Sequence, residues 1–467
     1  MATRRNVLIV GGYARQNAGD AALLHAIIRH VERAFPGCRV EIAGMEDPRR
    51  QRYFEGVRNL GSMRRYADDE CVSRLRRAAR RALVLAVGMS WFVAPARWYR
   101  RPARWLPAEV GAELAAIERA DLLVSLVVAG GYLQGAARPG LGPRVIYQLL
   151  PLILAGRLGT PVVCAPQSYG PFDGRLVPWI VAKTLRRARL VLAREDISMA
   201  ELAKLRLPAG VARRAVDSAF TLDPPGRSRA DQHAWRASHG VGAADVLVGV
   251  TVRRCLPPGQ QASLEAELAG FVDRVHDLPG HRVVIFPMAT AADRGDDDRV
   301  ASRAVAGLCR GQTRPIVMET EADFRGVASF IAGLDYLVGN RFHSVIFALT
   351  ARVPCIAIGY EHKTQGIMRD LSLDGWGLPA RDLSAACLYA LFEKLAESRS
   401  HYRAHLDHVI PGYTARGRAT ADALARAYYG DPAAAEHGNA AEHGTMVTVG
   451  LTGYEQDCHI CRESAAA

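Results

Sequence analysis

Short runs of aliphatic residues punctuate the chain at intervals that leave room for a helix between them. They lie at Asn6–Val10, Val40–Ala43, Leu122–Val128, Pro161–Ala165, Leu190–Ala193, Val246–Val252, Arg282–Phe286, Tyr336–Gly339 and Cys355–Ile358. Each is continuous rather than alternating with polar residues, the pattern of a strand covered by helices on both faces. Segments of helical periodicity stand between them, among them Ala21–Phe35, Val177–Arg187 and Ser344–Thr350. This β-α order predicts an α/β fold with parallel, doubly wound sheets. The stretch Asp223-Pro224-Pro225-Gly226-Arg227-Ser228-Arg229 interrupts the series with proline, glycine and polar residues. A β-α series on each side predicts two Rossmann-like domains, residues 1–225 and 232–430, with a cleft between them. The small polar residues of 431–467 read as a flexible tail.

Composition narrows the class. With 467 residues, 49% hydrophobic and 23% charged, the chain is an ordinary globular mixture, which excludes disordered, collagen-like and coiled-coil proteins. The net charge of +13 is local: residues 48–105 hold 15 arginines against Glu55, Asp68, Asp69 and Glu70. The remainder is nearly neutral, so a uniformly basic nucleic-acid binder is excluded and no nucleic-acid partner is expected. Nine cysteines, an odd number, argue against a disulfide framework. The start, MATRRNVLIVGG, has no long apolar stretch of a secretory signal. The longest apolar run, Ala82–Ala96, is shorter than the roughly 20 residues a spanning helix needs. The expected compartment is the cytoplasm.

In doubly wound sheets, ligands bind beyond the carboxyl ends of strands, where glycines admit an anion to backbone amides and helix N-termini add positive potential. Several strand ends carry such signals. Gly11-Gly12-Tyr13 and Asn17-Ala18-Gly19-Asp20 follow the first strand, with Asp20 either a helix N-cap or a ligand contact. Ala129-Gly130-Gly131-Tyr132 follows the Leu122–Val128 strand, and Pro166-Gln167-Ser168-Tyr169-Gly170-Pro171 follows Pro161–Ala165. In the second half, Val248–Val252 runs into Arg253-Arg254, and an arginine there can hold a carboxylate or phosphate in a bidentate fork. Gly339-Asn340-Arg341-Phe342-His343-Ser344 puts a cation and an imidazole at a helix entry, where a developing anion is stabilised. Lys363, one of four lysines, follows the next strand in Gly359-Tyr360-Glu361-His362-Lys363.

Taken in order, N-x-G-D at Asn17–Asp20, the glycine turn at Ala129–Tyr132, Q-S-x-G-P at Gln167–Pro171, G-x-R-x-H-S at Gly339–Ser344 and Y-x-x-K at Tyr360–Lys363 resemble the polysaccharide pyruvyl transferase family. The resemblance covers about Asn6 to Leu373. It implies a two-domain, GT-B-like architecture and transfer of pyruvate from phosphoenolpyruvate, as a ketal, onto a sugar. It implies Arg253, Arg341 and His343 in a donor pocket of the second half, while Lys363 by its position reads either as a second phosphate contact or as an ordinary surface lysine. The first-half residues Asn17, Asp20, Gln167 and Ser168 are then left for the saccharide or lipid-linked acceptor.

The chemistry suits those residue types. Phosphoenolpyruvate carries about three negative charges near neutrality, which arginines and a lysine can match. An imidazole with a pKa of about 6.5 can give and take a proton. No metal and no cofactor beyond phosphoenolpyruvate as co-substrate is expected. Cys458-His459-Ile460-Cys461 is an isolated C-x-x-C without the four ligands of a structural zinc site. A basic, apolar insert at about 71–105 mixes arginine pairs with Leu83, Leu85, Trp91, Phe92, Trp98 and Trp105. It reads either as an interfacial helix on the anionic inner face of the plasma membrane or as a helix packed on its own domain or on a second copy in a homo-oligomer. Two other functional readings stay open. One is a GT-B glycosyltransferase whose nucleotide-sugar ribose would be held by Glu319 or Glu321; the other is a non-catalytic assembly scaffold docked on the membrane.

Overall fold

The computed structural model describes residues 4–11, 15–44, 54, 56–69, 72–93, 105–126, 132–135, 142–172, 174–223, 229–292, 295–321, 323–359 and 362–430. Two compact units emerge. The first comprises Met1–Leu222 together with Tyr413–Pro432, the second Asp223–Ala292 with Asp296–Gly412.

The first unit runs β1 (Asn6–Gly11), α1 (Ala18–Ala34), β2 (Arg39–Ala43), β3 (Arg58–Leu60), α2 (Met63–Ala67), α3 (Arg74–Val93), α4 (Ala108–Arg119), β4 (Leu122–Leu126) and β5 (Tyr132–Gly135). It continues with α5 (Gly142–Leu158), β6 (Val162–Phe172), α6 (Leu176–Leu185), β7 (Leu190–Ala193), α7 (Asp196–Lys204) and β8 (Ala212–Arg214). Its eight-stranded sheet has the order β3-β2-β1-β4-β6-β7-β8, with β5 on the outer half of β6, and its strand pairs are parallel. The order reverses between β1 and β4. There Gly11 meets Leu126 so closely that a Cβ would lie 1.9 Å from its carbonyl oxygen, so only glycine fits.

The second unit runs α8 (Arg229–Ser238), β9 (Val246–Thr251), α9 (Pro258–His276), β10 (His281–Ile285), β11 (Thr290–Ala291), β12 (Asp296–Asp297), α10 (Asp298–Leu308), β13 (Ile316–Val317) and α11 (Phe324–Ala332). Then come β14 (Tyr336–Gly339), α12 (Phe342–Thr350), β15 (Cys355–Gly359), α13 (His362–Asp370), β16 (Gly377–Pro379), α14 (Ala385–Glu397) and α15 (Arg399–Arg418). Its six-stranded sheet has the order β13-β10-β9-β14-β15-β16, also parallel, with the reversal between β9 and β14. A short antiparallel hairpin, β11–β12, stands apart from it. Both units are the doubly wound sheets that the aliphatic runs predict.

Two expectations change, and one choice left open by the sequence narrows. Residues 413–429, expected in the second domain, belong to the first unit. Tyr413 packs edge-on against Phe220 at 4.8 Å, and the Thr414 hydroxyl donates to the Phe220 carbonyl at 3.1 Å. In α16 (Thr420–Tyr429), Tyr428 lies 5.3 Å from Phe35, and the Arg5 guanidinium stacks at 5.2 and 5.1 Å over Tyr428 and Tyr429. Second, the insert is a core helix on its inner side. Val84, Val87 and Trp91 are buried in the first unit's core, each burial contributing about 1.5–3 kcal/mol. Gly88 lets α3 settle onto α5, since a Cβ there would fall 2.2 Å from the Leu150 side chain. Arg80 and Arg81 are held by Asp69 and Asp68 at 2.8 Å each. Third, Pro161–Ala165 is the beginning of an 11-residue strand, β6, that runs on through Gln167 and Ser168. The tail with Cys458 and Cys461, the Ala129–Gly131 turn and residues 94–104 of the insert lie outside the described residues. Among the described residues no helix is long and apolar enough to cross a membrane.

Glu113 on α4 is buried and accepts a hydrogen bond from the Met63 amide at 2.6 Å, tying α2 to α4. Burial pushes its pKa up to about 8. A carboxyl whose folded pKa is raised contributes stability that is fully present below its unfolded value and is lost as pH rises through the folded one. Wild-type Tm should therefore fall between about pH 4.5 and pH 8. Glu113→Gln should flatten that dependence, as measured by calorimetric scans across the range.

Candidate active site of the second unit

The order reversal in the second sheet brings the carboxyl ends of β9 and β14 side by side, with Gly339 opposite Thr251 and β15 next in line. A small polar framework fixes these ends. The Asn340 side chain accepts from the Arg253 amide at 3.0 Å and donates to the Ile358 carbonyl at 3.2 Å, so one buried amide spans all three strands. The Thr251 hydroxyl accepts from the Arg341 amide at 3.3 Å and lies 2.8 Å from the Ser344 hydroxyl, which donates to the Arg341 carbonyl at 2.6 Å. Gly339 is required because a Cβ would press on Val345 and Ser344 at 2.7 and 3.0 Å.

On this framework sit Arg253, Arg341, His343 and Lys363, each just past the end of its strand. Arg341 is the N-cap of α12, and His343 lies in its first turn. His343, Arg341 and Lys363 are buried, whereas Arg253 is half-buried. The Lys363 ammonium stacks 5.2 Å over the Phe342 ring, which meets the His343 ring edge-on at 5.2 Å. Arg254, the neighbouring candidate cation, turns to Glu265 at 3.3 Å.

The sequence reading contains no acidic partner for this cluster, and the structure supplies two. The Arg341 Nε donates to both oxygens of Asp298 at 3.0 and 2.8 Å, one Nη nitrogen also bonds Asp298, and that nitrogen reaches Asp296 at 2.6 Å. Asp298 additionally accepts from the amides of Met288 and Ala289 at 3.0 Å each. Burial, the largest influence, and the nearby Arg253 work against the Arg341 charge, but Asp298 and Asp296 together outweigh them, and the pKa ends above the ordinary arginine value. Asp296 also lies 3.6 Å from the Arg253 Nε, so one carboxylate bridges both arginines. The acids come from the β12–α10 junction, where the run Asp296-Asp297-Asp298 was the available signal. Glu319, one of the two candidate ribose carboxylates, is paired with Arg303 at 2.6 Å.

The first-unit candidates fall into two groups. The N-cap of α1 is Asn17, not Asp20: its side chain accepts from the amides of Gly19 and Asp20 at 3.1 and 3.2 Å. Asp20 is buried in the first turn, where a carboxylate suits the helix dipole. Gln167 and Ser168, expected in an open turn, are fully buried inside β6. The strand continues because β5 pairs with its outer half, Tyr132 opposite Ser168. Ser168 accepts from the Arg194 Nε at 2.8 Å, Arg194 donates to Asp217 at 2.6 Å and lies 3.5 Å from Glu195, and Gln167 donates to the Tyr169 hydroxyl at 2.8 Å. These two side chains thus belong to a buried polar cluster. Its signal was Arg194-Glu195 directly after an aliphatic strand, the same pattern that marked Arg253.

The family model for polysaccharide pyruvyl transferases matches residues 17–362. The chain belongs to this family. The match begins at the α1 cap, just after β1, and ends beside Lys363, so it takes in the whole order reversal of the second sheet. Among curated relatives of this chain is the amylovoran biosynthesis protein AmsJ of Erwinia amylovora, 27% identical over 242 residues, 50% of this chain and 56% of the relative. The match thus spans about half the length of that relative. Among solved structures, it is similar to a glycosyltransferase from Rickettsia africae (TM-score 0.55, 8% identity, 92% of this chain and 99% of that one). It is also similar to the UDP-GlcNAc 2-epimerase of Neisseria meningitidis (TM-score 0.53, 9% identity, 91% and 100%). At such identities the likeness establishes fold alone: two Rossmann-like domains of the GT-B kind.

Asp298 is about 1% exposed and Asp296 about 26%. Asp298→Ala removes the buried partner of a buried arginine, leaving it only the partly exposed Asp296, and should cost about 3–5 kcal/mol. Asp296→Ala should cost about 1 kcal/mol or less. Urea denaturation of the two variants checks the ranking.

Proposed function

We propose that this family member transfers the pyruvyl group of phosphoenolpyruvate to a sugar of a surface polysaccharide or its lipid-linked precursor, forming a cyclic ketal. The observation that carries this reading is the grouping of Arg253, Arg341, Lys363 and His343 beyond three adjacent strand ends at a sheet's order reversal, the place where doubly wound sheets bind ligands. The family match and the relative named for amylovoran biosynthesis support the acceptor class.

The reaction begins when one sugar hydroxyl attacks C2 of the enol, passing its proton to a phosphate oxygen of the donor, while the C3 methylene takes a proton and becomes a methyl group. A second hydroxyl of the same sugar then attacks C2, and phosphate leaves with the electron pair of its C–O bond. His343 is assigned as the acid that protonates C3 and then as the base that takes the second hydroxyl's proton. Arg253, the most exposed of the three cations, is assigned to the donor's phosphate or carboxylate. Arg341 is clamped by Asp298 and Asp296, so it holds the pocket's shape and its field with little rotamer freedom left to lose on binding. Lys363 adds a second positive charge at the neighbouring strand end.

His343→Ala should lower pyruvate incorporation into acceptor glycan at least 100-fold, with the thermal unfolding profile retained. Near-wild-type incorporation would remove the imidazole from the chemistry. Arg253→Ala should raise the KM for phosphoenolpyruvate about 10- to 100-fold, the worth of a charge-assisted hydrogen bond. Initial-rate measurements over a donor series read this directly, and an unchanged KM would take Arg253 out of the donor site.

A further inference from the structure

Helix α3 is apolar on two sides. With Val84, Val87 and Trp91 turned into the core, Leu75, Ala78, Ala79, Ala82, Ala86 and Met89 are left exposed on the other side. They recur at three- and four-residue spacing and form one stripe about 21 Å long, at 1.5 Å per residue. Helix α6 adjoins the end of this helix: the Lys183 ammonium lies 5.4 Å over the Phe92 ring of α3 and 4.8 Å over the Trp179 ring of α6. The outward side of α6 carries Leu176, Trp179 and Lys183, preceded by exposed Arg175 and followed by exposed Arg186 and Arg187. Neither Arg74–Val93 nor Leu176–Leu185 contains an acidic residue. Of the eight large hydrophobic side chains exposed among the described residues, four, Leu75, Met89, Leu176 and Trp179, belong to these two helices. The exposure is therefore concentrated rather than scattered.

We propose that this face of the first unit docks on an anionic lipid surface. Leu75, Met89, Leu176 and Trp179 enter the boundary between headgroups and acyl chains, while Arg74, Arg76, Arg175 and Lys183 meet lipid phosphates. Charge complementarity selects this occupant. A second copy related by a twofold axis would set the same basic face against itself, whereas an anionic bilayer offers the opposite charge to every cation and a solvent for the apolar stripe. The contact differs from the one the sequence suggests: Trp91 is buried, Arg80 and Arg81 are held by acids, and α6 joins α3 only in three dimensions. The proposal is independent of the pyruvyl donor.

The test is flotation of the full chain with vesicles of phosphatidylcholine alone and of phosphatidylcholine mixed with phosphatidylglycerol. Flotation is expected with the mixed vesicles only, and it should weaken in high salt. Arg74→Ser, Arg76→Ser and Arg175→Ser should each weaken it about fivefold, and the double variant Leu176→Ser/Trp179→Ser should weaken it at every salt concentration. All these positions are exposed, so the fold should be kept, which thermal unfolding verifies; Leu308→Ser, exposed on the second unit, should float like wild type. No flotation, equal flotation with neutral vesicles, or flotation unaffected by the patch variants would overturn the proposal. So would a lipid-free dimer in sedimentation velocity that Leu176→Ser/Trp179→Ser dissociates, because the face would then belong to a second copy.

Discussion

The second unit depends on a buried ion pair. Arg341 cannot sit at the mouth of β14 without an anion, because a guanidinium removed from water costs several kcal/mol unless it is both paired and hydrogen-bonded. Asp298 meets both conditions, and its remaining capacity is filled by the Met288 and Ala289 amides. The pair therefore links α12, the start of α10 and the segment after β10 into one rigid corner. Asn340, Thr251 and Ser344 complete that corner on the sheet side. Every candidate group of the unit leans on it, directly or through one neighbour.

The first unit has a corner of the same kind. Arg194 is fully enclosed with Asp217, Glu195 and Ser168 at the end of β7. In each unit, then, an arginine follows or caps a strand end and is neutralised by acids from elsewhere in the chain. In the second unit half-buried Arg253 stands beside such an arginine, and Asp296 is shared between them. A dense anion arriving there would meet one clamped cation and one more exposed cation, separated by a carboxylate that both already hold.

Much of this was legible in the sequence, for physical reasons. Short continuous Val/Ile/Leu runs set between helix-length segments favour strands buried on both faces, so β1, β7, β9, β14 and β15 fall where the pattern puts them. Arg253, Arg341, His343 and Lys363 could be assigned to strand ends because chain order alone sets that position. What could not be read depends on pairing between distant segments. The length of β6 is set by β5, which adds on beyond the point where the aliphatic run stops and so buries Gln167 and Ser168. The partners of Arg341 arrive from 43 and 45 residues away. The Asn17 cap was within reach, since its side chain needs only the amides two and three residues on.

The return of the last helices to the first unit has a consequence for synthesis. A ribosome that has released residues 1–222 has made the whole eight-stranded sheet, yet Phe35, Phe220 and Arg5 still lack Tyr428, Tyr413 and Tyr429. The earlier-made half must wait, with aromatic surface uncovered, until the other half has emerged and the chain has doubled back. Its assembly is thus not strictly vectorial, and the nascent polypeptide carries that uncovered aromatic surface through the whole interval in which the second unit is made, when a chaperone can find it.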